Sequence, residues 1–168
     1  QEILVNAYIS KGQSREEAEK YVQKGDMAIY DTPVRALGKD FVVSPYVDNR
    51  AGVVAQLIAM KELKKPVYDC YFVFTVQEEV GLRGATAAAA KLQAAVALAI
   101  DATGAADVPF CHPKDYIVRL GGGAGISALD AATITPRWLF ENLITLCTQQ
   151  HIAHQVRIAP RGGNDARS

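Results

Sequence analysis

Tyr71-Phe72-Val73-Phe74-Thr75-Val76-Gln77-Glu78-Glu79 decides the fold: six β-branched or aromatic residues lie between Pro66 and Gly81 and run into two adjacent carboxylates. A run this short and apolar, bounded by turn formers, reads as a strand in the core of a sheet. Glu78 and Glu79 then stand at its C-terminal end, the edge at which open α/β sheets hold ligands. A Glu pair taken alone is ordinary solvated surface, so its meaning depends on what surrounds it.

Two further acids occupy equivalent places. Phe41-Val42-Val43-Ser44-Pro45-Tyr46-Val47 leads into Asp48, and Asn49-Arg50-Ala51-Gly52 opens an amphipathic segment from Val53 to Leu63, apolar at Val54, Leu57, Ile58 and Leu63. The apolar run Ala94–Ile100 ends on Asp101, followed by a turn-prone Ala-Thr-Gly. Taken singly, Asp48 reads as a helix N-cap and Asp101 as a loop-opening Asp bonded to its own backbone. Taken together, acids at the ends of neighbouring parallel strands lie within one or two strand spacings of about 4.8 Å, so Asp48, Glu78, Glu79 and Asp101 are expected to converge. Converging carboxylates require a cation or a raised pKa. Oxygen donors alone suit Mg²⁺ or Mn²⁺, whereas Zn²⁺ or Co²⁺ normally recruits imidazole as well.

Four blocks carry a family resemblance: Tyr46-Val47-Asp48-Asn49-Arg50-Ala51-Gly52, Phe74-Thr75-Val76-Gln77-Glu78-Glu79-Val80-Gly81-Leu82-Arg83-Gly84-Ala85, Ile100-Asp101 and Arg161-Gly162-Gly163-Asn164-Asp165-Ala166. The chain resembles the M42 metallo-aminopeptidases, the tetrahedral- and glutamyl-aminopeptidase-like group. The intervals agree with that pattern, 31 positions from Asp48 to Glu79 and 22 from Glu79 to Asp101. The resemblance implies that Asp48 bridges two divalent ions, Zn²⁺ or Co²⁺, that Glu79 and Asp101 are terminal ligands, one to each ion, and that Glu78 is the general base. It also implies a cis peptide at Asp48–Asn49. Two such ions would activate water and polarise the scissile carbonyl of a short peptide substrate.

The departures are as informative. The family site uses two histidines, one in an upstream His-Met-Asp-like segment and one near the C-terminus, and neither position falls in this chain. The sequence is therefore expected to be part of a longer protein, and to bind metal incompletely or weakly by itself. His112, His151 and His154 do not match ligand positions; His151 and His154 are three apart, but a helix opening near Pro136 is expected to end close to Gln150. The three cysteines, Cys70, Cys111 and Cys147, lack a Cys-x-x-Cys spacing and read as free buried thiols in a reducing, cytoplasmic setting.

Composition bounds the rest. The 168 residues, 49% hydrophobic, suffice for one sizeable core. Lys plus Arg equals Asp plus Glu at 18 each, which leaves no electrostatic footprint for nucleic acid. No apolar run approaches the roughly 18 residues of a membrane span. From Phe41 onward strands and helices alternate, which argues an α/β three-layer αβα sandwich with a largely parallel or mixed sheet.

Residues 1–40, punctuated by Gly12, Gly25 and Gly38 and carrying a capped helix start at Ser14-Arg15-Glu16-Glu17, resemble the tail of the family's inserted β-rich domain. Residues 41–168 would be the incomplete catalytic domain. In relatives that insertion builds dimers and larger shells, which implies a homo-oligomer. Ala85–Ala90 reads as a helix packed close to the sheet, and Gly121-Gly122-Gly123-Ala124-Gly125, lacking the Gly-Lys-Ser/Thr ending of a P-loop, as a flexible turn bordering the site. Asn164 and Asp165 are candidate pocket residues, with a locally bonded Gly-rich turn as the plainer alternative. Three functions follow: a two-metal aminopeptidase, a non-catalytic chain that keeps fold and assembly surfaces, or another two-metal amidohydrolase.

Overall fold

The computed structural model describes residues 14–27, 29 and 32–167. Gly12 and the apolar pieces before Ser14 lie outside the described residues. The chain divides into two units, residues 1–45 and 46–168.

In the first unit, α1 (Arg15–Ala18) starts where its capping sequence places it: the Ser14 hydroxyl accepts from the Glu17 N–H at 3.2 Å. Strands β1 (Arg35–Leu37) and β2 (Phe41–Val43) form an antiparallel hairpin with Arg35 opposite Val43. Gly38, at φ 68°, opens the three-residue turn between them. The expected strand through Val47 thus ends at Val43, and its partner is β1, within the first unit.

The second unit begins with α2 (Val47–Glu62). Its first turn is irregular: Tyr46 has φ 62°, Asp48 and Asn49 are non-helical, and the Asp48–Asn49 peptide is cis. Asp48 does not cap this helix. That work falls to Asn49, whose Oδ1 accepts from the Gly52 N–H at 2.9 Å. The Ala-rich stretch forms α3 (Arg83–Leu92).

Strand β3 (Ala124–Leu129), helix α4 (Arg137–Gln149) and strand β4 (His154–Ile158) make a βαβ unit. The two strands are parallel, Ala124 against His154 through Leu129 against Ile158, with an irregularity between Ser127 and Leu129. Parallel pairing requires a crossover, which α4 supplies.

The runs 71–76 and 94–100 are not in a ladder among the described residues. A strand is made by its neighbour, and the flanks of these runs stay open: Val76 is 68% exposed and Leu98 59%. Among the described residues, the acids that end these runs are brought together by contacts between helix starts and the ends of the runs.

Two glycines measure how close those contacts are. A Cβ on Gly84, in α3, would lie 2.4 Å from the Val76 carbonyl oxygen, and one on Gly52, in α2, would lie 2.5 Å from that of Ile100. Each helix rests directly on the end of an extended run. The Gly84 N–H also donates to Val76 O at 3.1 Å. Gly84→Ala is expected to lower stability by about 1–3 kcal/mol through overpacking against backbone, whereas Gly104→Ala, with open space around it, should stay near neutral. Denaturant unfolding of the two variants checks this; equal midpoints would contradict the close approach.

Candidate metal centre

The helix starts and run ends just described carry the acids. Asn49 joins two of them, since its Nδ2 donates to the Ile100 carbonyl at 2.7 Å while its Oδ1 holds Gly52. The residues on either side of these anchors, Asp48 and Asp101, have side chains close enough to interact with one another. The Asp101 Oδ1 also accepts from its neighbour's N–H, Ala102, at 2.8 Å, the local turn bond expected of a loop-opening Asp.

Glu78 comes next. It begins a tight turn in which its carbonyl accepts from the Gly81 and Leu82 N–H groups. Partial burial pushes the Glu78 carboxyl up from its ordinary pKa, and the charges of Glu79, Asp101, Asp165 and Asp48 push it further in the same direction. Asp101 is raised as well, first by lost hydration and then by Asp48, against the lowering effect of the Ala102 bond. Glu78 thus stands near four other carboxylates, and no cationic side chain is among the groups that perturb Glu78 or Asp101.

Asp165 reaches this cluster from the far end of the chain. Its Oδ2 accepts from the Thr75 hydroxyl at 2.5 Å, while its Oδ1 is buried without a hydrogen-bond partner. Asn164, its neighbour, accepts at Oδ1 from the Ala166 N–H at 2.9 Å, a local turn bond.

The histidines stay apart. The His112 Nδ1 accepts from the Lys114 N–H, His151 follows the end of α4 at φ 53°, and His154 sits in β4. The Gly121–Gly125 turn opens β3, and the Gln155 side chain pins it through Arg119 and Gly123. Of the cysteines only Cys147 is buried; Cys70 and Cys111 are exposed, because the run 71–76 and the loop before Pro113 are themselves open.

Among the described residues, no three His, Cys, Asp or Glu side chains form a group already set to hold a metal ion. The donor chemistry nonetheless fits a hard or borderline divalent cation. Asp48 and Asp101 bring like charges together, and a divalent cation between such carboxylates offsets that repulsion. The orphaned Asp165 Oδ1 adds an unsatisfied oxygen to the same region.

The family model for M42 glutamyl aminopeptidases matches residues 2–168, and the chain belongs to this family of peptidases. A protein of Acetivibrio thermocellus, named by inference as an aminopeptidase, is 41% identical over 163 residues, which cover 96% of this chain and 48% of the relative. An aminopeptidase structure from Desulfurococcus kamchatkensis superposes with a TM-score of 0.85 at 38% identity, covering 92% of this chain and 44% of that one. The dodecameric PhTET1 structure gives a TM-score of 0.75 at 34% identity, with 92% and 46% covered. The chain thus spans about half the length of the relatives it matches. These neighbours share its mixed α/β architecture.

Sequence reasoning missed the supports rather than the acids. Asn49 and Thr75 had no role in the sequence reading, although an amide immediately before a helix start is a recognisable capping signal.

Because the native carboxyls of Glu78 and Asp101 bind protons more tightly than in an unfolded chain, their contribution disfavours folding above the raised pKa values and fades as pH falls toward the ordinary carboxylate value of about 4. In chelator, Asp101→Asn is therefore expected to melt higher than the parent at pH 7, with the gap closing on acidification. Its Oδ1 still accepts the Ala102 N–H. A lower melting point at pH 7 would show that the acids do not repel.

Proposed function

We propose that this chain carries the acidic half of the site of a metal-dependent aminopeptidase that removes N-terminal residues from short peptides. The observation that supports it is the meeting of Asp48, Glu78 and Asp101, with Glu79 beside them, in an M42 chain. Asp48 would bridge two divalent ions, Zn²⁺ or Co²⁺, with Glu79 and Asp101 as terminal ligands. When bound, such ions supply Lewis acidity and charge compensation at the carbonyl under attack.

The remaining work belongs to the chain. Glu78 is held by its turn next to the ligands but is assigned no ion. Its carboxylate oxygens take a proton from water and return it to the departing amine. Its raised affinity for protons suits that exchange. Asp165, fixed through the Thr75 hydroxyl, lines the space in which a peptide's free amine would sit, and Asn164 closes the turn behind it.

Residues 1–40 are proposed as the tail of an inserted β-rich domain that makes dimers and, from them, a shell, with residues 41–168 as the catalytic part of a longer chain. The dodecamer formed by PhTET1 supports homo-oligomerisation. The exposed apolar flanks of α2 and of the run 71–76 are where the rest of the fold would pack. No helix among the described residues is long and apolar enough to cross a membrane, and a cytoplasmic setting completes the reading.

A second reading, a non-catalytic chain that keeps fold and assembly surfaces, draws on the absence of a ready three-ligand group among the described residues. Glu78→Gln separates the two. In the protein containing this chain it is expected to retain metal and lose about 10²–10⁴-fold in kcat on a short peptide. Turnover at the parental rate would remove Glu78 as base; no turnover by the parent itself, with metal supplied, would favour the second reading.

A further inference from the structure

Arg157 is a part-buried cation with no part in the chemistry above. It lies in β4 opposite Ser127 of β3, and its side chain is only 13% exposed. Burying a guanidinium is costly unless its donors are met. The nearest carboxylate, Asp130 at the end of β3, is itself buried, but its Oδ2 is 3.6 Å from the Arg157 Nη1, longer than the roughly 2.7–2.9 Å of a close charge-assisted bond. The Asp130 Oδ1 is turned to the N–H groups of Ala132 and Thr133 at 2.9 and 2.8 Å. The ion pair balances charge, therefore, without fixing direction.

Direction comes from two hydroxyls. Nη1 donates to the Ser127 Oγ at 3.0 Å, and Nε donates to the Thr103 Oγ1 at 2.9 Å. The planar fork of a guanidinium constrains both bonds together, which a lysine could not do. Ser127 belongs to the same sheet as Arg157 and is held by it already. Thr103 does not: it lies in the irregular segment two residues beyond Asp101, where the main chain has left the run 94–100 and has no ladder to set its course. Upstream of Asp101 the backbone is anchored by Asn49 at Ile100. Downstream, the Thr103 hydroxyl is the side-chain anchor, and Arg157 is what holds it.

We propose that Arg157 is a positioning residue for Asp101, acting through Thr103 and held in charge balance by Asp130. The proposal rests on the reading of Asp101 as a metal ligand. Outer partners that orient a ligand in this way are typically worth 10–100-fold in metal affinity.

The test is metal affinity, measured by competition of Zn²⁺ with a chromophoric chelator on the protein containing this chain, alongside the melting point of the metal-free protein. Thr103→Val, which keeps the shape and removes the hydroxyl, is expected to weaken Zn²⁺ about 10–100-fold with little change in melting point. Thr103→Ser should restore parental affinity, and Ser127→Ala, which removes one of the two bonds that set the fork's direction but leaves the link to Thr103, is expected to lose less than Thr103→Val. If Thr103→Val does not fold, Thr103→Ala carries the same expectation. Parental affinity in the folded Thr103→Val or Thr103→Ala variant, or an equal loss in Ser127→Ala, would overturn the positioning role. Failure of the parent protein to take up Zn²⁺ would instead overturn the reading of Asp101, and this inference with it.

Discussion

The site hangs on the two hydrogen bonds of one amide. Asn49 uses its oxygen to cap the regular part of α2 at Gly52 and its nitrogen to hold the carbonyl of Ile100. Nothing smaller or of single polarity can do both, since a carboxylate lacks the donor and a hydroxyl lacks the span. Through this amide the residue before the regular part of a helix and the residue after an extended run, Asp48 and Asp101, are brought to interact although 53 positions separate them in the chain. Gly52 lets the helix close on that carbonyl, and Gly84 does the same for α3 against Val76.

Bringing those acids together has an electrostatic consequence. Each of Glu78 and Asp101 is pushed toward its protonated form by lost hydration and by the charges around it. A cluster of this kind disfavours its own folded state at neutral pH unless something positive enters it. That tension distinguishes it from a surface Glu pair, for which solvent would screen the repulsion. It also explains why supports are built around the acids: Thr75 on Asp165, Ala102 on Asp101, and the Arg157 fork on Thr103 beyond.

The chemistry-bearing residues were readable from the chain because acids that end apolar runs are visible as pattern, and the Gln-Glu-Glu-Val-Gly-Leu-Arg-Gly block is specific. The helices were legible for similar reasons: Ser14 marks the start of α1, and Pro136 and the apolar spacing after it mark α4. What escaped was long-range. The run 71–76 has the composition of a core strand, yet pairing belongs to the neighbour and not to the run. The hairpin partner of Phe41–Val43 and the reach of Arg157 to Thr103 depend on residues with no local signature. Asn164 shows a local signature that was legible, a Gly-rich turn closed by its own side chain. Cys70 was expected inside because its run was; the run is open, so the thiol is too.

The central claim is that Asp48, Glu79 and Asp101 meet around bound cations. Anomalous diffraction at the zinc edge, from crystals of the protein containing this chain grown with Zn²⁺, tests it most directly. The account predicts two peaks, one in contact with Asp48 and Asp101 and one with Asp48 and Glu79, with Glu78 bound to neither. Peaks confined to His112, His151 or His154, or none within reach of Asp48, would contradict it.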